Sequence, residues 1–251
     1  MKGAVASLYR HPVKGFTPEP LDYLALRPGE GVRWDRAFAV EDGPSGFDAR
    51  APHHISKMKF TVLAKIPRVA SVRTRMDEAG VLHATAPGAA AISADFAAEA
   101  GRAAFAAWLS EVLGADVRGP LRVVEGPGAH RFYDHPQGHV SLINVDTVKD
   151  IAQRLGREVD PLRFRANVYV SGWPAWRELE LVNQSVSLGA VAARVFAPIV
   201  RCAATHVDPT SAQRDIEMVD VLRSEYGHAY CGVYLHVENE GVTRVGDVAA
   251  A

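Results

Sequence analysis

Only two cysteines, Cys202 and Cys231, occur in the 251 residues. That is too few for a disulfide framework or for a four-cysteine zinc or iron–sulfur site. No apolar run approaches the roughly 18 residues needed to span a bilayer, and the opening MKGAVASLYRHPVK lacks the apolar segment of a secretory signal. The chain therefore reads as soluble and cytoplasmic, with no membrane to bind. Charge of one sign is not in excess either. With 28 Lys plus Arg against 29 Asp plus Glu, there is no bulk electrostatic reason to bind nucleic acid, and any positive site must be local. The ten histidines do not fall at metal-binding spacings. GxGxxG, GxxxxGK[ST], GxSxG and HExxH are all missing, and the common dinucleotide, phosphate-loop, serine-hydrolase and zinc-protease readings go with them.

What is there can fold around a sizeable core, since 48% of the residues are hydrophobic and 23% charged. Up to residue 95 the texture is of short strands, at 3–10, 21–28, 37–42, 70–76 and 81–86, with Gly and Pro punctuation between them. An alanine-rich segment from Asp95 to Leu113 puts Phe96, Phe105, Leu109 and Val112 near one helical face and stops at Gly114. A second helix is expected over 144–155, capped by Asn144 or Asp146 and ended by Gly156. A third runs through Ile216, Val219, Leu222 and Tyr226 to Gly227. Further strands are expected at 167–172, 185–198, 232–239 and 242–248. The fold class is α+β, mostly β, and the Gly- and Pro-rich stretch 114–127 is the best boundary, dividing 1–118 from 119–251.

The polar residues out of place at strand ends and turns are mostly basic: Lys14, Arg36, Arg50, Arg165 and Arg201. Solvated surface is the ordinary fate of such residues. Two stand out by position, because Arg165 lies in RFRAN as a strand begins and Arg201 follows a strand ending at Pro198. A guanidinium held there could grip a phosphate or carboxylate with two hydrogen bonds. Cys202 sits beside Arg201 in RCAATHVDP, and a nearby cation favours the thiolate, which attacks electrophiles or binds a soft metal. An inert thiol at a strand end is the alternative. Cys231 opens the apolar run CGVYLHV and reads as core. A hydrolytic relay of Cys202, His206 and Asp208 is disfavoured, since separations of four and six residues in one loop rarely align three side chains.

Several segments together resemble the MOSC family, named for the C-terminal part of molybdenum cofactor sulfurase. LYRHPVKGFTPEPLDYLALRPGEGVRWDRAFAVED is similar to the opening of the N-terminal β-barrel that accompanies that domain. RFRANVYVSG, the stretch PAWRELELVNQSVSLGAVAARVFAPIVRCAATHVDPTSAQRD and the closing CGVYLHVENEGVTRVGDV are similar to the MOSC domain itself. The resemblance implies an N-terminal β-barrel domain followed by a MOSC β-barrel domain, with a molybdenum cofactor (Mo-molybdopterin) in the cleft between them. It makes Cys202 the metal ligand and assigns the phosphate and pterin to Lys14, Gly15, Arg36, Arg165, Asn167, Arg201 and Tyr234. The loop Asp134 to His139 falls where the family places further contacts. His206, near the metal site, is a candidate catalytic proton donor, because imidazole titrates near working pH. The implied activity is reduction of small N-hydroxylated or N-oxide substrates, as in the mitochondrial amidoxime reducing component and its bacterial relatives. With two cysteines the chain has no cluster of its own, so electrons come from a ferredoxin- or flavoprotein-type donor. The alternative is a carrier of the cofactor, or of persulfide sulfur on Cys202, that turns over no substrate.

Overall fold

The computed structural model describes residues 1–138 and 140–251; His139, which closes the DHPQGH motif, lies outside them. The strands are β1 (Lys2–Arg10), β2 (Glu19–Leu21), β3 (Tyr23–Leu26), β4 (Phe38–Asp42), β5 (Arg73–Met76), β6 (Val81–Thr85), β7 (Ile92–Asp95), β8 (Leu121–Glu125), β9 (Val140–Asn144), β10 (Val168–Ser171), β11 (Ser185–Leu188), β12 (Val191–Val200), β13 (Tyr230–Val237), β14 (Gly241–Arg244) and β15 (Val248–Ala250). The helices are α1 (Glu99–Leu113), α2 (Val145–Leu155), α3 (Arg177–Glu180) and α4 (Met218–Tyr226). The class is α+β, mostly β, as expected. None of the helices is long and apolar enough to cross a membrane among the described residues.

Strands β10, β9, β13, β12, β11, β15 and β1 neighbour one another in that order, and β1 pairs back onto β10, closing a seven-stranded barrel. Closure removes the exposed strand edges that invite aggregation. Inside it lie Val5, Leu8, Leu142, Val170, Val195 and Val233, side chains that the period-2 pattern of their strands turns inward. Helix α2 starts where expected, because the Asn144 carboxamide accepts from the Asp146 amide, and it ends at Gly156 in the left-handed region. A second core, formed mostly by residues 13–123, fills with Phe16, Phe38, Phe96, Phe105 and Leu109 between α1, the β5–β6–β7 sheet and the β4–β8 pair.

The first strands pair with the C-terminal part of the chain. Strand β1 is a stave of the C-terminal barrel, β2 pairs with β1, and β3 pairs with β14. Leu24, Leu26 and Val32 are buried in the barrel's core and not in the other one. The chain crosses into the second core at His11–Gly15 and leaves it through residues 126–138. The expected strand 185–198 is a hairpin instead, turning at Gly189 between β11 and β12. Two register shifts bend β12, the second between Pro198 and Val200. Such bulges turn a strand end aside, and this one delivers Arg201 and Cys202 to the gap between the two cores.

Candidate functional site

The crossing segment His11–Gly15 is pinned by the strand it passes. The Lys14 amide donates to the Phe38 carbonyl, the Phe38 amide to the Pro12 carbonyl, and the Arg36 amide to the His11 carbonyl. Gly15 lies at φ +90°, and a Cβ there would stand 2.7 Å from the Thr61 carbonyl oxygen and 2.9 Å from the Val62 Cα. Both obstacles are backbone. Gly15→Ala is therefore expected to lower stability by about 2 to 5 kcal/mol, combining left-handed strain with the displacement of a packed loop, which a urea titration would read.

This segment forms one wall of a cleft of about 340 Å³ between the two cores. Lys14, Gly15, Arg36, Arg165, Asn167, Arg201, Cys202 and Tyr234 all line it. Their roles differ once hydrogen bonds are traced. Lys14 is buried, and its Nζ donates to the Phe132 carbonyl at 2.8 Å and to Asp134 at 2.5 Å. Burial lowers the Lys14 pKa against the opposing pull of Asp134. Lys14 and Lys57 in turn overcome the desolvation of Asp134 and hold its carboxyl below the usual carboxylate range. Arg36 is fixed by buried Asp35 on one side, while its Nη2 donates to the Arg165 carbonyl at 2.8 Å on the other. Arg36 and Arg165 both adopt left-handed φ, +50° and +53°, conformations costly for residues with a Cβ that persist where surrounding structure enforces them.

Arg165 makes no side-chain hydrogen bond or ion pair among the described residues, and burial, then the nearby Arg36 charge, push its pKa down to about 10. It is a desolvated cation facing the cleft, and the charges of Asp134 and Asp35 offset only part of that cost. Arg201 is different. Its Nε donates to the Cys231 carbonyl at 2.7 Å, its Nη1 to the Phe164 carbonyl at 2.8 Å and its Nη2 again to Cys231. It braces the floor. Asn167 is likewise engaged: its Oδ1 accepts from the Ser141 amide and hydroxyl and its Nδ2 donates to the Tyr9 carbonyl. It ties β1 to β9 behind the site. Tyr234 stacks between Phe196 and His135, at 5.7 and 5.4 Å between ring centres.

Behind Arg36 lies His11, fully buried, with Nδ1 3.5 Å from Asp35 Oδ1. Burial first, then Arg36 and Arg165, push its pKa down to about 3. Because the folded state excludes a proton that the unfolded chain binds below about pH 6.5, stability falls as pH drops from 6.5 toward 3, by up to about 1.4 kcal/mol per pH unit from this group. His11→Asn is expected to flatten the stability profile between pH 4 and 6.5, measured by denaturant midpoints.

Cys202 ends β12 and precedes a 3₁₀ turn at Ala203–His206, whose Thr205 amide and hydroxyl both donate to the Cys202 carbonyl. With Arg201 occupied on the floor, Lys57 is a cation that lines the cleft together with the Cys202 thiol and interacts with it electrostatically. Burial lowers the Lys57 pKa, but the charges of Asp134 and Cys202 outweigh it and leave it raised. Lys57 and Asp134 are 3.8 Å apart. The profile of the MOSC domain matches residues 129–250, and that of the MOSC N-terminal beta barrel domain matches residues 2–118. The chain belongs to the MOSC family. Its structure is similar to the crystal structure of the YUAD protein from Bacillus subtilis, with 14% identity, TM-score 0.45, and all of this chain and 97% of that one covered. It is also similar to YiiM from Geobacillus stearothermophilus, with 16% identity, TM-score 0.35, and 45% of this chain and 53% of that one covered. No curated protein matches the chain.

One expected member of the MOSC cleft is not among the residues that line it. His206 turns the other way, its Nδ1 2.7 Å from Glu217 and its Nε2 accepting from the Val219 amide at 3.4 Å. The 3₁₀ turn after Cys202 rotates successive side chains by about a third of a circle, so Ala204 and Thr205 reach the cleft and His206 packs against the start of α4. Reading the sequence also missed Lys57 and Ser141, and it left Asp134 and Gly138 undecided. Lys57 lies in ISKMKF, where nothing in the local pattern separates it from Lys59.

Proposed function

We propose that the cleft holds a molybdenum cofactor and that the protein is a molybdenum-dependent reductase of small N-hydroxylated or N-oxide compounds. The observation that carries the reading is the unpartnered, desolvated guanidinium of Arg165 in the same cleft as a single thiol. The residues fit the group: Arg165, Lys14 and Arg36 offer charge to a phosphate, Gly15 offers a bare backbone, and Cys202 offers the soft thiolate that molybdenum takes. Among the described residues no three His, Cys, Asp or Glu side chains cluster as a metal site, which suits a metal whose other ligands arrive with its cofactor. When bound, the cofactor supplies the two-electron chemistry.

The chain's own residues hold and orient. Arg36 fixes the Arg165 backbone, Arg201 and Asn167 fix the floor, and Lys57 presents a charged N–H beside the Cys202 sulfur. In the net reaction the substrate N–O bond breaks, and two electrons from a donor protein and two protons from water yield water and the deoxygenated product, an N–H compound from an N-hydroxylated substrate or the free amine from an N-oxide. NADH or NADPH alone is expected to support no turnover by flavin-free protein, whereas a chemical reductant does. The deciding measurement is elemental molybdenum on protein made in a cofactor-competent host, with amidoxime reduction assayed on the same sample. Stoichiometric metal with activity supports the reading; full loading with no activity under any donor favours the carrier.

A further inference from the structure

Between residues 49 and 76 the sequence has seven cations, Arg50, Lys57, Lys59, Lys65, Arg68, Arg73 and Arg75, and no Asp or Glu, although the whole chain carries a formal charge of only −1. Four of them are accounted for elsewhere. Lys65 and Arg68 pair with Asp42 and Asp116, and Arg73 and Arg75 lie on β5. Of the other three, Lys57 lines the cleft, and the turn that carries Lys57 and Lys59 runs beside a second basic segment, His130–Arg131. Phe60 against Phe132, 5.5 Å between ring centres, and Phe47 against His130 at 5.4 Å hold the two segments together. Burial, then the charges of Arg131, His53 and His54, hold the His130 imidazole below its ordinary value.

Glu30 and Glu240, which share a hollow with Arg131, lie by Arg27. Asp48 pairs with Arg50, and Asp134 is taken by Lys14 and Lys57. Lys59, Arg131, His53 and His54 have no acidic partner among the described residues. In the middle of the cations, between Lys57 and Lys59, stands Met58 with 52% of its surface exposed. A flexible exposed thioether flanked in the chain by two lysines is suited to contact a partner surface of variable shape. Lys57 connects the patch to the site, since its side chain lines the cleft and reaches the Cys202 thiol.

We propose that this basic rim around Met58 is the docking surface for an acidic electron-donor protein. The inference rests on the reductase reading above, which requires electrons to enter beside Cys202. Redox encounters bury little area and depend on charge complementarity for their rate. A cluster of a few cations about one apolar side chain fits such a contact better than the extended run of phosphate contacts that a nucleic acid makes.

The test uses the full-length chain and a plant-type [2Fe–2S] ferredoxin as the acidic probe, followed by calorimetry. Association is expected to weaken steeply with added salt. It should weaken at least tenfold in the Lys59→Glu/Arg131→Glu double variant, and measurably in Met58→Ala, which leaves charge unchanged. None of these side chains lines the cleft, so turnover driven by a reduced viologen should stay within twofold of the unaltered protein. Absent ferredoxin binding, or binding indifferent to the charge reversal, overturns the proposal. So does tighter, equally charge-sensitive binding of duplex RNA or of phosphatidylserine vesicles. Loss of molybdenum loading and of viologen-driven turnover, with charge-sensitive ferredoxin binding retained, would sink the reductase reading and leave the docking surface standing.

Discussion

Cys202→Ser is expected to abolish molybdenum-dependent turnover while leaving the denaturation midpoint nearly unchanged. The thiol is partly exposed at the end of β12, so exchanging sulfur for oxygen removes little packing, and stability should move by no more than about 0.5 kcal/mol. Its chemistry is not replaceable in the same way. A serine hydroxyl is neutral at working pH and a hard ligand, where a cysteine thiolate is charged and soft. Cys231→Ser supplies the contrast. That thiol is fully buried beside Ile143, Tyr169 and Met218, and burial pushes its pKa far up. A hydroxyl there would be buried where the thiol has no hydrogen bond among the described residues, lowering stability by about 1 to 3 kcal/mol with turnover per folded molecule intact. Metal content, turnover with a chemical reductant and urea titration of both variants separate the outcomes. Full turnover by metal-loaded Cys202→Ser would remove the thiol from the ligand set.

Local signals in the sequence were legible where one element decides its own shape. Asn144 and Gly156 bracket α2 because caps are short-range, and Gly227 ends α4 for the same reason. The apolar run from Cys231 became β13 because Val233, Leu235 and Val237 alternate onto the barrel core. Long-range choices were not legible. Nothing within LYRHPVKG says that β1 closes a barrel whose other staves lie beyond residue 139, or that β3 pairs with β14. In the site, residue type indicated the cleft, but partners set the roles. Arg201 stands next to Cys202 in sequence, yet the bulge at Pro198–Val200 and the Cys231 and Phe164 carbonyls turn its guanidinium to the floor, and Lys57, 145 positions away in the sequence, faces the thiol instead. His206 was lost to a 3₁₀ turn that sequence spacing does not reveal.

Arg165→Ala is expected to release the cofactor without harming the fold, and that pairing of effects is what sets Arg165 apart from its neighbours. Its guanidinium makes no ion pair, and desolvation and the Arg36 charge against it outweigh the attraction of Asp134 and Asp35, so the cofactor-free fold should be as stable or more stable without it. A phosphate in the cleft would reverse the balance. Losing one charge-assisted contact of about 1.5 to 3 kcal/mol raises the dissociation constant roughly 10- to 150-fold. Arg165→Lys should recover part of this, keeping charge while giving up the planar two-bond grip. Lys14→Ala makes the comparison decisive. Lys14 is already bonded to Asp134 and to the Phe132 carbonyl, so its loss strands a carboxylate at the cleft and should lower both cofactor retention and stability. Molybdopterin content after gel filtration, set beside denaturant midpoints of the same samples, reads both quantities. Unchanged content in both variants would mean that the cations of this cleft do not hold an anionic cofactor, and a destabilised Arg165→Ala would mean that its guanidinium supports the fold.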